Sequence, residues 1–220
     1  MKTATKALVV FSGGQDSTTC LAQALADFDS VETVTFDYGQ RHVIELEQAR
    51  ILAQISGATE HHQIDMQWLG RLTENSLTRP DIPITHTNGQ LPSTFVDGRN
   101  LFFLSVAAVL AKQRGIQVIY TGVCETDFSG YPDCRDSFIQ SLTQTLKLAI
   151  EYPYEIRTPL MWLTKAETVQ LMAQLGKLDW YAETHTCYEG LRPACGKCPA
   201  CTLRLKGFAD AGIPDPLPYL

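Results

Sequence analysis

The chain of 220 residues lacks a hydrophobic run long enough to cross a membrane. Its longest apolar segment, residues 101–111, is interrupted by Ser105, whereas a membrane-spanning helix needs about 20 apolar residues. The apolar run before Ser12 is too short for the core of a secretory signal peptide. We therefore predict a cytoplasmic protein, in which the seven cysteines are metal ligands or free thiols rather than disulfides.

Basic residues are also scarce. The chain has 18 Lys and Arg against 24 Asp and Glu, a formal net charge of −6 at pH 7. Proteins that bind nucleic acid over a broad surface usually carry a positive charge there. The composition predicts no direct nucleic-acid partner, and its 45% hydrophobic residues predict a folded chain with a sizeable core.

The two common phosphate-binding motifs are absent. G-x-x-x-x-G-K-[ST] does not occur, and no G-x-G-x-x-G opens the first predicted helix. The strand-like KALVVF is followed instead by SGGQDS, residues 12–17. Its two glycines allow a tight turn close to a ligand, and free amides at the start of the next helix favour an anion. Asp16 would repel that anion unless Mg²⁺ accompanies it, or unless Asp16 only caps the helix.

Strand-like apolar runs alternate with helical patterns along the chain. Strands are predicted over residues 6–12, 31–38, 116–122 and 154–160, and helices over 17–27, 41–56, 99–114, 135–151 and 164–176. Thr164 and Glu167 have the spacing of a capping box. The alternation predicts an α/β fold with a doubly wound, mostly parallel, Rossmann-like sheet.

Two segments interrupt this alternation. Residues 60–98 contain several prolines and many polar side chains, and we predict that they form an excursion or lid. Residues 185–220 are rich in Cys, Gly and Pro. We expect a main α/β domain over residues 1–184 and a C-terminal segment over residues 185–220 that packs on it.

Four cysteines of the C-terminal segment have the spacing of a metal site. They are Cys187, Cys195, Cys198 and Cys201, in the pattern C-x7-C-x2-C-x2-C. Four thiolates suit one tetrahedral, structural Zn²⁺. An iron–sulfur cluster is the alternative, because Cys-x2-Cys-x2-Cys also occurs in such sites, and four unrelated thiols are the simplest alternative.

Further strings carry a resemblance to a known family. They are VTFDYGQRH (34–42), GRNLFFLSVAA (98–108), TGVCETDFSGYPDCRDSF (121–138) and TPLMWLTKAE (158–167). The S-G-G-x-D-S loop resembles the pyrophosphate-binding loop of the N-type ATP pyrophosphatases. With the other strings and the cysteines, nearly the whole chain resembles the QueC family of 7-cyano-7-deazaguanine synthases. CETDFSGYPDCR is the most discriminating string, because general ATP pyrophosphatases lack it.

The resemblance implies a ligase that forms carbon–nitrogen bonds in queuosine biosynthesis. Its substrates would be 7-carboxy-7-deazaguanine, ammonia and ATP with Mg²⁺. Adenylation of the acid would let ammonia form an amide, and adenylation of the amide would lead to the nitrile, 7-cyano-7-deazaguanine. The resemblance also implies the N-type ATP pyrophosphatase (HUP) fold, one structural zinc per chain and a homodimer.

The resemblance, together with positions at strand and helix ends, assigns candidate site residues. The ATP set is Phe11, Ser12, Gly13, Gly14, Gln15, Asp16, Ser17, Thr18, Thr19, Cys20, Leu21, Asp37, Tyr38, Arg99 and Asn100. The substrate set is Glu125, Thr126, Asp127, Phe128, Tyr131, Asp133 and Arg135. Asp16, Lys165 and Arg135 are the expected catalytic residues, with Arg135 as a partner for the substrate carboxylate. By position alone, Asn100 is also compatible with a helix cap and Lys165 with a solvated first-turn lysine.

Other functions remain compatible with the sequence. A tRNA-modifying adenylating enzyme similar to a thiouridine synthase would need a sulfur relay, with Cys124 or Cys134 as candidates, and the acidic net charge counts against it. A non-catalytic, zinc-stabilised nucleotide sensor would bind ATP without consuming it. A glutamine-dependent amidotransferase is disfavoured, because one ligase domain leaves no room for a glutaminase, so free ammonia is the expected nitrogen donor.

Overall fold

The computed structural model describes residues 5–41, 44–85, 91–126 and 130–220. In these residues five parallel strands form one sheet, in the order β3-β2-β1-β4-β5. The strands are β1 (Lys6–Val10), β2 (Ser30–Asp37), β3 (Glu60–Asp65), β4 (Val118–Tyr120) and β5 (Glu155–Arg157). The parallel sheet and its alternation with helices confirm the predicted Rossmann-like α/β fold.

Seven helices connect and follow the strands in the described part of the chain. They are α1 (Gln15–Asp27), α2 (Ile44–Ser56), α3 (Gln67–Leu72), α4 (Arg99–Gln113), α5 (Asp136–Ile150), α6 (Lys165–Gln174) and α7 (Pro199–Ala211). The predicted capping box at the start of α6 is confirmed: the Glu167 amide donates to Thr164 Oγ1 at 3.2 Å, and the Thr164 amide donates to Glu167 Oε2 at 2.7 Å. None of the helices described is both long and apolar enough to span a membrane.

Each face of the sheet has its own apolar core. Successive side chains of a strand point to opposite faces, so Leu8 of β1 packs in one core and Val9 in the other. Leu8 shares its core with residues of α4 and α5 such as Leu104. Val9 shares its core with residues of α1 and α2 such as Leu21 and Leu52. The helices therefore cover both faces of the sheet, as in a doubly wound fold.

The edge strand β3 has no strand pattern in its sequence and was not predicted. Residues 60–65, EHHQID, pair in parallel with β2 from Glu32↔Glu60 to Asp37↔Asp65. Polar side chains are common on edge strands, because one side of the strand faces solvent, and such a strand lacks the apolar pattern that marks buried strands. The first part of the segment predicted to be an excursion therefore belongs to the sheet.

A buried ion pair joins α7 to the end of the chain. Arg204, 1% exposed, donates to both carboxylate oxygens of Asp215 at 2.7 and 2.8 Å. It also donates to Thr184 Oγ1 at 2.6 Å, and the Tyr219 hydroxyl donates to the same carboxylate at 2.6 Å. The pair thereby connects the C-terminal segment to the residues just before it.

We expect Asp215→Asn to lower the free energy of unfolding by about 3 kcal/mol at pH 7, because it leaves the buried Arg204 charge uncompensated. Burial raises the pKa of Asp215, but the hydrogen bonds and charge of Arg204 outweigh it and hold that pKa below its ordinary value. The ionised carboxylate therefore stabilises the fold above its unfolded pKa, and this stabilisation disappears as the pH falls through the lower, folded-state pKa.

Urea unfolding at pH 7 and at stepwise lower pH measures the difference in free energy of unfolding between wild type and Asp215→Asn. This difference should become smaller below about pH 4. The matched control is Asp210→Asn, because Asp210 pairs with Lys206 on the exposed face of α7. An exposed pair of this kind contributes less than about 1 kcal/mol. Equal effects of the two substitutions at pH 7 would contradict the assigned role of the buried pair.

Candidate active site

A cavity of about 310 Å³ opens at the carboxyl ends of β1, β2 and β4. Val10 lines it at the end of β1, Tyr38 just after β2 and Gly122 just after β4. The strand order changes direction between β1 and β4, and open α/β sheets bind ligands in the crevice at such a point. The volume falls within the range of small-molecule pockets.

The loop between β1 and α1 forms one wall of this cavity. The Ser12 amide donates to Ser17 Oγ, and Ser17 Oγ donates to the Gly14 carbonyl, both at 3.2 Å. Gly13 has φ +75°, and a Cβ there would lie 2.8 Å from the Ala49 amide nitrogen. Only glycine fits this position, and α1 begins directly after the loop with the unpaired amides of its first turn beside the cavity.

Asp16 and Lys165 form an ion pair at the cavity. Lys165 Nζ lies 2.8 Å from each carboxylate oxygen of Asp16, and its side chain is 10% exposed. Gly207 of α7 makes room for the lysine, because a Cβ there would lie 2.4 Å from Lys165 Cγ. Three helices, α1, α6 and α7, thus fix the position of this pair.

A second part of the cavity is aromatic and charged. Arg99, the first residue of α4, has its Cζ 6.0 Å from the ring centroid of Tyr38 and 5.9 Å from that of Tyr131. Glu45, in the first turn of α2, lines the same cavity. Burial raises the pKa of Glu45 to about 7, although the nearby charge of Arg99 lowers it. Burial likewise raises the pKa of the Tyr38 hydroxyl to about 12.

Many of the predicted site residues meet in this cavity. Those that line it are Phe11, Ser12, Gly14, Gln15, Asp16, Ser17, Tyr38, Arg99, Asn100, Tyr131 and Lys165. They come from the β1–α1 loop and from segments that are distant in sequence. The cavity therefore brings the glycine loop, the lysine of α6 and the start of α4 to one place.

Several residues of the predicted ATP set have side chains that lie away from the cavity. Thr18, Thr19, Cys20 and Leu21 are fully buried in α1 and do not line the cavity. Thr18 Oγ1 donates to the Gly14 carbonyl at 2.8 Å. Thr19 Oγ1 donates to the Gln15 carbonyl at 3.0 Å. Beyond its first turn, α1 runs along the sheet, so these side chains face the core rather than a ligand.

Asp37 is a further member of the ATP set whose side chain lies away from the cavity. It ends β2 but does not line the cavity. Its carboxylate accepts hydrogen bonds from the Gly39 amide at 3.1 Å and from Gln67 Nε2 at 3.0 Å. Asp37 thus stabilises the turn after β2 and its contact with α3, whereas its neighbours Phe36 and Tyr38 line the cavity.

Most described residues of the predicted substrate set also lie away from the cavity. Glu125 and Arg135 are exposed outside the cavity, and Glu125 Oε2 accepts a hydrogen bond from the Asp136 amide at 3.1 Å, at the start of α5. Thr126 donates to the Leu163 carbonyl and does not line the cavity either. These hydrogen bonds of Glu125 and Thr126 are thus with the start of α5 and with the segment before α6.

Asp133 belongs to the support of the site rather than to its surface. It is buried, and its Oδ2 accepts a hydrogen bond from the Asn100 amide at 2.9 Å. The Asp133 carbonyl accepts another from Asn100 Nδ2 at 3.2 Å. Asp133 therefore positions Asn100 at the start of α4. The predictions for Asp127 and Phe128 lie outside the described residues.

The C-terminal segment contributes to the cavity wall, which was not predicted from the sequence. The residues of this segment that line the cavity are His185, Thr186, Tyr188, Ala200, Leu203 and Arg204. Glu45 was not predicted either, because a glutamate in the first turn of a helix is an ordinary feature with no distinguishing pattern. These side chains come from segments far from the glycine loop in sequence.

The four predicted metal ligands come together in the C-terminal segment. Cys187, Cys195, Cys198 and Cys201 are all buried, and their sulfur atoms lie within 4.8 Å of one another. The amides of Lys197 and Cys198 donate to Cys195 Sγ at 3.4 and 3.3 Å. Four thiolates around one point fit a tetrahedral zinc ion, and since all four positions come from protein, the site fits a structural role.

A second group of possible ligands lies toward the amino ends of β2 and β3. It consists of Glu32, Glu60 and His62. Arg114 Nε donates to Glu32 Oε2 at 2.9 Å, and Arg114 also contacts Glu60. His62 Nε2 lies 2.8 Å from the same oxygen of Glu32. Because the arginine already neutralises both carboxylates, this group is an ion-pair network that joins the edge strand to the sheet.

Comparison with known proteins gives one family match over most of the chain. A family model described as Queuosine biosynthesis protein QueC matches residues 6–212. This range includes the β1–α1 loop, every residue described above as lining the cavity and the four cysteines.

Solved structures share the fold at low sequence identity. A crystal structure of a 4-thiouridine synthetase–RNA complex with bound ATP has a TM-score of 0.53 at 17% identity, covering 94% of this chain and 50% of that chain. The present chain thus spans about half the length of that synthetase. Two others have TM-scores of 0.46. One is a "predicted subunit of tRNA methyltransferase" from Methanocaldococcus jannaschii DSM, at 18% identity, covering 79% of this chain and 89% of that chain. The other is NMN synthetase from Francisella tularensis, at 12% identity, covering 96% of this chain and 79% of that chain. The first of these three supports the fold alone.

Proposed function

The chain belongs to the QueC family of queuosine biosynthesis proteins, and on that basis we propose that it is an ATP-dependent ligase that converts 7-carboxy-7-deazaguanine and ammonia to 7-cyano-7-deazaguanine. The observation that carries this proposal is the meeting of the β1–α1 loop, the Asp16–Lys165 pair and an aromatic, charged wall in one cavity. Such a cavity offers an anion site beside a place for a flat heterocycle.

The β1–α1 loop is suited to the departing pyrophosphate. Ser12 and Ser17 carry hydroxyl groups, and the first turn of α1 carries amides that favour negative charge. Lys165 adds a positive charge at the same wall. The Asp16 carboxylate would hold the Mg²⁺ that accompanies ATP, and that ion would neutralise phosphate charge. An ATP-bound state would then release Lys165 from Asp16 to contact the phosphates.

A carboxylate is a poor electrophile, and the proposed chemistry activates it by adenylation. The substrate carboxylate oxygen attacks the α-phosphate of ATP, and pyrophosphate leaves. Ammonia then attacks the carbonyl carbon of the mixed anhydride, and AMP leaves. The resulting amide oxygen attacks a second ATP, again releasing pyrophosphate. Loss of AMP and of both protons of the amide nitrogen then leaves the carbon–nitrogen triple bond. For each step the protein supplies orientation and stabilisation of the charge on the leaving group.

The metal site has a separate task in this proposal. The cysteines flank residues that line the cavity, among them Tyr188 and Ala200. A zinc ion held by four thiolates would fix the segment that carries this wall. It would contribute folding energy rather than an open coordination position for the reaction.

The proposal is tested by following ATP consumption with purified protein. We expect continuous release of AMP and pyrophosphate only when 7-carboxy-7-deazaguanine and ammonia are both present, with 7-cyano-7-deazaguanine detected by mass spectrometry. Omitting ammonia should leave at most one adenylation per active site. Sulfur transfer to tRNA in place of nitrile formation would indicate the thiouridine-type activity instead. Binding of ATP with no AMP release under any condition would indicate a nucleotide sensor.

A further inference from the structure

Glu45 is an acidic side chain in an otherwise aromatic part of the cavity. Its electrostatic neighbours are Arg99, Tyr38 and Tyr188. Arg99 lies over the rings of Tyr38 and Tyr131, and Tyr188 lines the same cavity as Tyr131. We call these five residues the aromatic pocket. Glu45 lies in α2, Arg99 begins α4 and Tyr38 follows β2, whereas Tyr131 directly precedes Pro132 and Tyr188 lies in the C-terminal segment.

The carboxylate of Glu45 is positioned to accept hydrogen bonds from a ligand. Within the described part of the chain, no hydrogen bond or ion pair within 4 Å reaches it, although it lines the cavity. A partly buried carboxylate without such a partner is costly to maintain, since ionised groups lose solvation when buried. By contrast Glu47, in the same turn of α2, is exposed and pairs with Arg50 at 2.7 Å.

A heterocycle of the guanine class offers the matching chemistry. Its pyrimidine ring carries N–H donors on one edge, at N1 and at the exocyclic 2-amino group, and its flat faces suit contact with tyrosine rings. A carboxylate can accept from two neighbouring donors at once, one on each oxygen.

We propose that Glu45 determines substrate specificity by accepting hydrogen bonds from the N1–H and 2-amino groups of the heterocycle, an inference that rests on the function proposed above. Glu45 acts as a binding residue, and the reacting carboxyl group lies on the other ring of the substrate. Repulsion between two carboxylates disfavours the reversed orientation, so Glu45 also directs the substrate acid away from itself. The nearby charge of Arg99 lowers the pKa of Glu45 and so favours the ionised carboxylate that accepts these hydrogen bonds.

The test compares two substrates in two proteins. The substrates are 7-carboxy-7-deazaguanine and its analogue without the 2-amino group. Wild-type protein is expected to prefer the natural acid by about 100-fold or more in kcat/KM, because the analogue leaves a buried acceptor unpaired. Glu45→Gln should reduce kcat/KM for the natural acid about 100-fold, chiefly through KM, and reduce the preference below about 10-fold. Glu47→Gln is the matched control and should change neither value.

A second variant, Glu45→Asp, provides an independent test in case Glu45→Gln does not fold. Glu45→Asp keeps the charge but places the carboxylate one methylene further from the ligand, and it should also reduce the preference, by about 10-fold. The Kd for ATP should stay within about 2-fold of wild type in both variants, because the contacts of the β1–α1 loop are unchanged.

The outcomes separate this inference from the proposed function. If wild-type protein forms the nitrile but a folded Glu45 variant keeps the full preference for the 2-amino group, the inference is overturned and the proposed function stands. An equal fall in kcat for both substrates would also overturn it, because that result indicates a structural or chemical role. Absence of nitrile formation by wild-type protein would overturn both.

Discussion

Asp16→Asn is expected to reduce nitrile formation at least about 1,000-fold, while the fold and the metal content remain those of wild type. Asp16 lies in the first turn of α1, 31% exposed, with both carboxylate oxygens 2.8 Å from Lys165 Nζ. Asparagine has nearly the same shape but no charge. Asparagine would not hold the cation that accompanies ATP, and it would not neutralise the charge of Lys165. Both the cation and the Lys165 ammonium group would therefore be misplaced relative to the phosphates.

The measurement is AMP and nitrile production under saturating substrates, together with circular dichroism and zinc content. Asp29→Asn is the matched control, because Asp29 is an exposed residue two positions after the end of α1. We expect the control to retain full activity. Activity of Asp16→Asn within about 3-fold of wild type would exclude a role of this pair in phosphate transfer, since loss of a charge-stabilising group costs far more than that.

Cys198→Ala is expected to have the largest effect on stability. We expect zinc content to fall from about one ion per chain to nearly none. The free energy of unfolding should fall on the order of 5 kcal/mol, because binding of a structural metal contributes directly to folding. Activity should fall as well, since the same segment supplies Tyr188 and Arg204 to the cavity wall.

Elemental analysis and urea unfolding measure this prediction. Cys20→Ala is the matched control: Cys20 is equally buried, but it lies in the core between α1 and the sheet, far in sequence from the four ligands. Loss of its sulfur should cost about 1 kcal/mol and leave the zinc in place. Zinc retained in Cys198→Ala would contradict the four-thiolate site, and iron in the wild-type protein would favour the iron–sulfur alternative.

The Asp16–Lys165 pair and the four-cysteine site, which these two experiments address, are connected by direct contacts. The His185 amide donates to the Gly13 carbonyl at 3.0 Å, so the chain just before the first cysteine is bonded to the glycine loop. Gly207, near the end of α7, packs against Lys165. A disturbance of the metal site is therefore expected to reach both the loop and the lysine, whereas Asp16→Asn should leave the metal site intact.

Features that depend on neighbouring residues were predictable from the sequence alone. The S-G-G-x-D-S loop, the capping box at Thr164 and the spacing of the cysteines each operate within a few residues of one another. The alternation of apolar strands with helices also identified the sheet. For such features the local backbone geometry and side-chain chemistry determine the structure, and the residues involved are close together in the sequence.

Features that depend on packing between distant segments were decided only by the tertiary structure. Arg135 and Glu125 have the right chemistry for a substrate site, yet the fold turns them outward, while Glu45 and Arg204, with ordinary local sequences, line the cavity. The edge strand β3 shows no apolar alternation, because its position beside β2 rather than its own pattern places it in the sheet. Which side chains share one cavity follows from how helices pack on the sheet, and that arrangement depends on contacts throughout the chain.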